Sequence, residues 1–450
     1  YLLHGCFPTL ILQSVGWAGR RKSMVRHGAD LEFSRVGLGL EDRKFLASWA
    51  SFALAAVPGA LGSVYATARL APSLTPLALA EWALLGVLMT VFGSISQLGM
   101  KPGYMQAVTD LGPTHRFGAL RAGVVLQAVT GTLAGSILAV ALVVAHRFGY
   151  WQSVALLPWL PLQCALGNVA MMFHTDLRIL GQARVVAMLS VASLPLTVAC
   201  LEIALRLGMD PLAASIATGC LASAFFIAVL AWRSGILRQR GFDRVFLNRA
   251  VNMGLAVMAG LLAKYVADLA VSSTFRWGVD AEAAGLYGFA VRTGEPLMAL
   301  FIGAFQMAWG AHVYGWIAAA SDGRVVADYS RRSWWLLPIG LPLGLLIAIV
   351  VHALTESPPE LLELSPFVLM ILSRTLAFGL ASSMGFGQTI ERNYQRGMRI
   401  LLLECATSAT LVPGAAALGG AMAAVAIAAI LPWISVFLLR RHSRRVLLKP

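Results

Sequence analysis

Three basic side chains stand inside long apolar runs of this sequence: Lys264, Arg292 and Arg374. Asp268 follows Lys264 by four residues and Glu295 follows Arg292 by three, while Glu81 and Glu404 lie in other apolar runs. A charged side chain at the centre of a bilayer opposes insertion by about 2.5–3.5 kcal/mol, so three together oppose it by roughly 8–10 kcal/mol before any pairing. Such residues face a partner or water rather than lipid. Arginine binds phosphate oxygens two at a time through its planar fork, and lysine adds a mobile point charge. Lys264, Arg292 and Arg374 are therefore a candidate anion-binding set, with Glu295, Asp268 and Glu81 as candidate counter-ions or ion-coupling carboxylates. The simpler reading is two closed structural pairs, Lys264–Asp268 at i, i+4 and Arg292–Glu295 at i, i+3. Arg374 has no partner by spacing. It serves equally well as a second cavity cation or as a donor to helix-end carbonyls.

Gly294 and Pro296 flank Glu295. Proline has no N–H to give the carbonyl four residues back, which is that of Arg292, so a helix break is expected at the level of the charge. Broken helices at membrane depth are tolerated where they line protein or water, and transporters place substrate and ion sites there. Lys264 and Arg292 lie on either side of a turn near Gly278, each roughly 13–15 Å below the surface at 1.5 Å per residue. Two cations at matching depth on adjacent helices repel each other unless an anion lies between them.

The elements that carry these residues are membrane spans. Of 450 residues, 58% are hydrophobic and only 12% charged, about half the charge usual for a soluble chain. Apolar runs of about 20 residues recur over most of the length. Twelve spans can be placed, at about 46–68, 76–99, 118–145, 153–173, 184–207, 211–232, 250–273, 283–309, 333–354, 363–386, 398–416 and 418–439. Loops after even-numbered spans and the C-terminus hold 21 Lys and Arg; loops after odd-numbered spans hold four, Arg69, Arg147, Arg206 and Arg276. The positive-inside rule then makes the basic side cytoplasmic. The expected protein is an all-α integral membrane protein of about 12 transmembrane helices in two six-helix lobes. It would sit multi-pass in a bacterial plasma (inner) membrane with its C-terminus cytoplasmic. Residues 46–232 form the N-lobe and 250–440 the C-lobe, joined by a basic cytoplasmic linker at 233–249. Residues 441–450 form a basic cytoplasmic tail, and 1–45 an N-terminal extension, cytoplasmic or disordered.

Other chemistries are poorly served. The five cysteines are single and mostly within spans, the histidines show no metal-binding spacing, and no metal site or catalytic residue is expected. External acids such as Glu356 and Glu360 sit on short connectors, which argues against an enzyme. The net charge of +14 is an orientation signal and a contact for anionic lipid rather than a nucleic-acid footprint.

Several stretches resemble the bacterial polysaccharide-export flippases (Wzx-type, of the O-antigen and exopolysaccharide branch) in the multidrug/oligosaccharidyl-lipid/polysaccharide transporter superfamily. They are AEAAGLYGFAVRTGEPLMALFIGAFQMAWGAHVY (Ala281–Tyr314), LAPSLTPLALAEWALL (Leu70–Leu85) and MMFHTDLRILGQARVVAMLSV (Met171–Val191). The resemblance implies two lobes around a central cavity and movement of a polyprenyl-pyrophosphate-linked oligosaccharide between leaflets by alternating access. It implies basic cavity residues that receive the headgroup, on the spans where Lys264 and Arg292 lie, and it puts Glu81 near the cavity mouth. Implied partners are the lipid-linked glycan, membrane lipids, a polysaccharide polymerase and a chain-length regulator. No cofactor is expected beyond a proton or sodium gradient. The alternative is a small-molecule or drug cation antiporter of the same superfamily. The sign of the cavity separates the two: a cation exporter should have acids in excess in its spans, whereas here the cations lie deepest and each has at most one nearby acid.

Overall fold

The computed structural model describes residues 40–447 apart from 102, 105–107, 109–115, 181, 235, 237–243, 310–311, 313–323, 357 and 386–394. Residues 1–39 of the extension, the middle of the linker and the end of the tail lie outside the described residues. Residues 45–450 form one unit. The long helices are α1 (Leu40–Leu70), α2 (Pro76–Ser96), α3 (Arg116–Arg147), α4 (Leu160–Ile179), α5 (Ala183–Arg206) and α6 (Pro211–Ser234). They continue with α7 (Arg244–Trp277), α8 (Ala281–Leu297), α9 (Leu336–Leu354), α10 (Leu361–Met384) and α11 (Gln395–Leu447). The short helix Arg324–Arg332 leads through a 3-10 turn into α9.

Local chemistry explains the tight turns on the side with few basic residues. Asp210 and Asp280 accept the backbone N–H of Ala213 at 2.9 Å and of Ala283 at 2.8 Å. Thr75 does the same for Ala78 at 3.2 Å, so α2, α6 and α8 all start on a side-chain cap. α5 ends at Gly208 with φ +75°, where Met209 donates to the Ala204 carbonyl at 3.1 Å and closes the last turn. α11 has 53 residues, about 80 Å as a single rod, against an apolar bilayer core of about 30 Å. At Gly420 its backbone takes φ 70° and ψ −166°, a conformation open to glycine, and the element becomes two limbs.

Eight helices among the described residues are long and apolar enough to cross a membrane. The long helices outside that set are α4, α7 and α8, which carry buried or partly buried polar groups such as Asn168, Asp176, Lys264 and Arg292. α3 packs along α4, and α6 against α4 and α5; α11 packs along α7 and α10, and α8 against α9 and α10. These are the two lobes, and α2 packs across them onto α7 and α8. The result is an all-α, multi-pass membrane fold.

Lipid tails are as apolar as leucine, so helix association in a membrane depends on close approach and buried polar contacts. Gly288 provides close approach: a Cβ there would lie 2.5 Å from the Leu79 carbonyl carbon on α2. Gly294 provides it on another side, where a Cβ would meet the Ile371 side chain of α10 at 2.4 Å. The break expected at Gly294 and Pro296 is displaced. α8 stays α-helical through Leu297, and the irregularity is a π segment at Met298–Gly303. Met298 donates to the carbonyls of Gly294 and Glu295, so the helix continues past the missing proline donor and widens only afterwards. Gly294 is thus accounted for by packing rather than by a break.

Candidate functional site

The intramembrane charges fall into three clusters. In the first, α8 presents Arg292 to α2. The Arg292 guanidinium lies 4.0 Å from the centre of the Trp82 ring and donates through Nη2 to the Trp82 carbonyl. Through Nη1 it donates to Glu295 Oε1 at 2.6 Å. The other carboxylate oxygen of Glu295 accepts from the Ser63 hydroxyl of α1 at 3.2 Å. Glu295 therefore touches α1 on one side and the α2–α8 contact on the other. Gly86 of α2 faces both Arg292 and Glu295, a Cβ there lying 3.7 Å from Arg292 Nη2.

The second cluster joins α7, α10 and both limbs of α11. Lys264 donates to Asp268 at 3.2 Å and to Glu404 at 3.0 Å. Arg374 donates to Asp268 and, at 2.9 Å, to the Ala428 carbonyl. The order Glu404–Lys264–Asp268–Arg374 alternates sign and sums to zero. Breaking a buried pair by removing one partner costs about 3–5 kcal/mol, because the other charge stays desolvated.

The third cluster closes the interlobe seam. Glu81 is fully buried and accepts from Arg276 at 2.7 Å and from the backbone N–H groups of Gln152 and Ser153 at 2.9 and 3.2 Å. Arg276 reads in the sequence as an external loop residue. It is instead the buried last-turn residue of α7. Glu81, expected near a cavity mouth, is a sealed counter-ion to Arg276.

Both spacing-based pairs are present, and Arg374 gains the partner that spacing did not supply. Lys264 and Arg374 share Asp268, whereas Arg292 shares no recorded partner with them among the described residues. The candidates therefore form separate centres rather than one anion cradle. Exposure runs against an open cationic face. The side chains of Lys264, Arg292 and Arg374 are 6%, 11% and 9% exposed, against 32% for Asp268 and 39% for Glu295. The accessible intramembrane charge is acidic. Sequence reasoning missed Trp82, Ser63 and Arg276, all of which act through contacts with distant helices. No group of three or more His, Cys, Asp or Glu side chains suited to a metal occurs among the described residues.

No protein-family model and no curated protein sequence matches the chain. Solved structures do match in fold. The Vibrio cholerae MATE transporter VcmN in its bent form has a TM-score of 0.60 at 12% identity, covering 90% of this chain and 97% of that one. A MOP superfamily transporter from Pyrococcus furiosus, described by the reverse polarity of its binding pocket, has a TM-score of 0.58 at 11% identity, with 90% and 96% covered. A MATE family multidrug resistance transporter of the MOP superfamily, inward-facing, has a TM-score of 0.52 at 12% identity, with 88% and 94% covered. The fold is the two-lobed helical fold of these MATE and MOP structures.

This overturns the resemblance to polysaccharide-export flippases, since these structures are named as MATE and MOP transporters and none is named as an oligosaccharide flippase. The reason is visible in what the quoted stretches do. A Cβ on Gly285 would lie 2.7 Å from Pro76 of α2. Tyr287 stacks on Phe275 at 4.5 Å and hydrogen-bonds Ser272, and Phe305 packs on Phe45 and Trp49. These residues fasten helices together. Their spacing reports the shared fold and not a glycan.

Proposed function

We propose that the chain is an alternating-access transporter of small organic cations in a bacterial plasma membrane, with its C-terminus cytoplasmic and its transport driven by protons. The carrying observation is the sign of the accessible charge. The three cations are buried in ion pairs, and in the Arg292–Glu295 and Arg374–Asp268 pairs the half-buried, more accessible member is the carboxylate. One structure of like fold is named as a multidrug resistance transporter, and a small organic molecule is taken as substrate from it.

Glu295 is the binding residue in this reading. An organic cation takes the place of Arg292 at the carboxylate, while Arg292 keeps the Trp82 ring and carbonyl as partners. A proton at Glu295 removes the charge that holds the cation. It also weakens the tie from Ser63 of α1, so the occupancy of one carboxylate biases how α1 meets α8. Asp268, held by both Lys264 and Arg374, serves the C-lobe as a fixed charge.

The test is ethidium transport into proteoliposomes after a pH jump. The wild-type protein should exchange ethidium for protons, Glu295→Gln should lose the exchange while inserting normally, and Glu363→Gln on the exposed first turn of α10 should retain it. Wild-type rates in Glu295→Gln would overturn the assignment.

A further inference from the structure

A groove of about 340 Å³ lies between the two limbs of α11, at the end away from Gly420. Its walls are two short stripes with the same spacing. The first limb contributes Arg396, Arg399 and Leu403, at i, i+3 and i+7; the second contributes Leu438, Arg441 and Arg445, again at i, i+3 and i+7. Residues three and four apart share a helix face, so each stripe lines one wall. The limbs run in opposite directions. The first stripe therefore goes from arginine to leucine entering the membrane, and the second goes from leucine to arginine leaving it. Each covers about 10 Å along the helix axis. The groove thus has four guanidinium groups at its mouth and leucine at its floor.

All four arginines are exposed, and none makes an ion pair among the described residues. Glu404, next to Leu403 in sequence, points instead to Lys264. Arg396 lies in the first turn of the first limb, which has no acidic residue there, and Arg399 follows one turn on. Cations at a helix N-terminus oppose the macrodipole, and an anion seated among them relieves that conflict. The floor continues outward through Leu402 and Leu403, which are exposed on the outer face.

We propose that this groove binds an anionic phospholipid of the leaflet on the basic side. The phosphodiester sits between Arg396, Arg399, Arg441 and Arg445, and an acyl chain runs down over Leu403 and Leu438. Charge complementarity selects an anion, and the polarity along both walls selects an amphiphile over a free anion. No residue lining the groove belongs to the three charge clusters, and the site does not depend on the transport reading.

Native mass spectrometry of the detergent-purified protein, titrated with phosphatidylglycerol, cardiolipin and phosphatidylcholine, tests this. Each basic residue at a membrane surface is worth roughly fivefold in affinity for anionic lipid. Arg399→Gln/Arg441→Gln should therefore bind phosphatidylglycerol at least about tenfold more weakly, and Arg147→Gln/Arg233→Gln, outside the groove, should bind as wild type. Millimolar inorganic phosphate should leave the lipid bound. Equal binding of phosphatidylcholine, equal loss in both variants, or full displacement by phosphate would overturn the proposal, the last marking a free-anion site. Photoactivatable phosphatidylglycerol on the wild-type protein gives a measure independent of variant folding. Labelling should map to residues 396–403 and 438–445, and labelling confined to other helices would refute the site.

Discussion

At the scale of single residues, each intramembrane cation is paired with an acid, Lys264 and Arg374 sharing Asp268, and the pairs differ in how far they are closed. Lys264 is held by two carboxylates within 3.2 Å. Lys264→Met should destabilise the protein by about 3–5 kcal/mol, because Glu404 stays buried without its counter-charge. The double variant Lys264→Met/Glu404→Gln should recover more than about half of that loss, since both charges of the pair are then gone. Thermal unfolding in detergent reads both, and a double variant less stable than the single one would contradict the pairing. The individual charges and their helix neighbours are legible in the sequence, because i, i+3 and i, i+4 spacing fixes Lys264–Asp268 and Arg292–Glu295. The link from Lys264 to Glu404 crosses 140 residues and that from Arg276 to Glu81 crosses 195. Nothing local encodes such contacts.

At the scale of elements, hydropathy, caps and charge bias mark where helices start and stop, because those signals are local. Which face of a helix meets which neighbour is set by close approach. Pro296 illustrates the limit. Its missing N–H points to a break, but packing of Gly294 against Ile371 and a π segment one turn later keep α8 continuous at the charged level. Gly288 tests this view of the seam. Gly288→Ala places a methyl 2.5 Å from backbone atoms of Leu79, so α2 and α8 must separate. It should lower the unfolding temperature despite alanine's higher helix propensity. Gly167→Ala in α4 meets nothing within 4 Å, and should be neutral or stabilising by up to about 1 kcal/mol. Identical behaviour of the two variants would show that the seam is not closely packed.

At the scale of the whole molecule, two helical lobes meet along α2, α7 and α8, and the charge clusters stand at that seam and inside the C-lobe. The positive-inside bias supports the proposed orientation. The substrate rests on one carboxylate. Ethidium binding to the purified protein, followed by fluorescence from about pH 5 to 8, tests that carboxylate most directly, since a proton and a cation that compete for one site change the affinity by up to about tenfold per pH unit. Protonation of Glu295 removes the charge that holds the cation, so wild-type affinity should fall as the pH is lowered. In Glu295→Gln, binding should be weak and independent of pH. Wild-type affinity in Glu295→Gln, or binding that tightens as the pH falls, would contradict the assignment of Glu295 as the cation site.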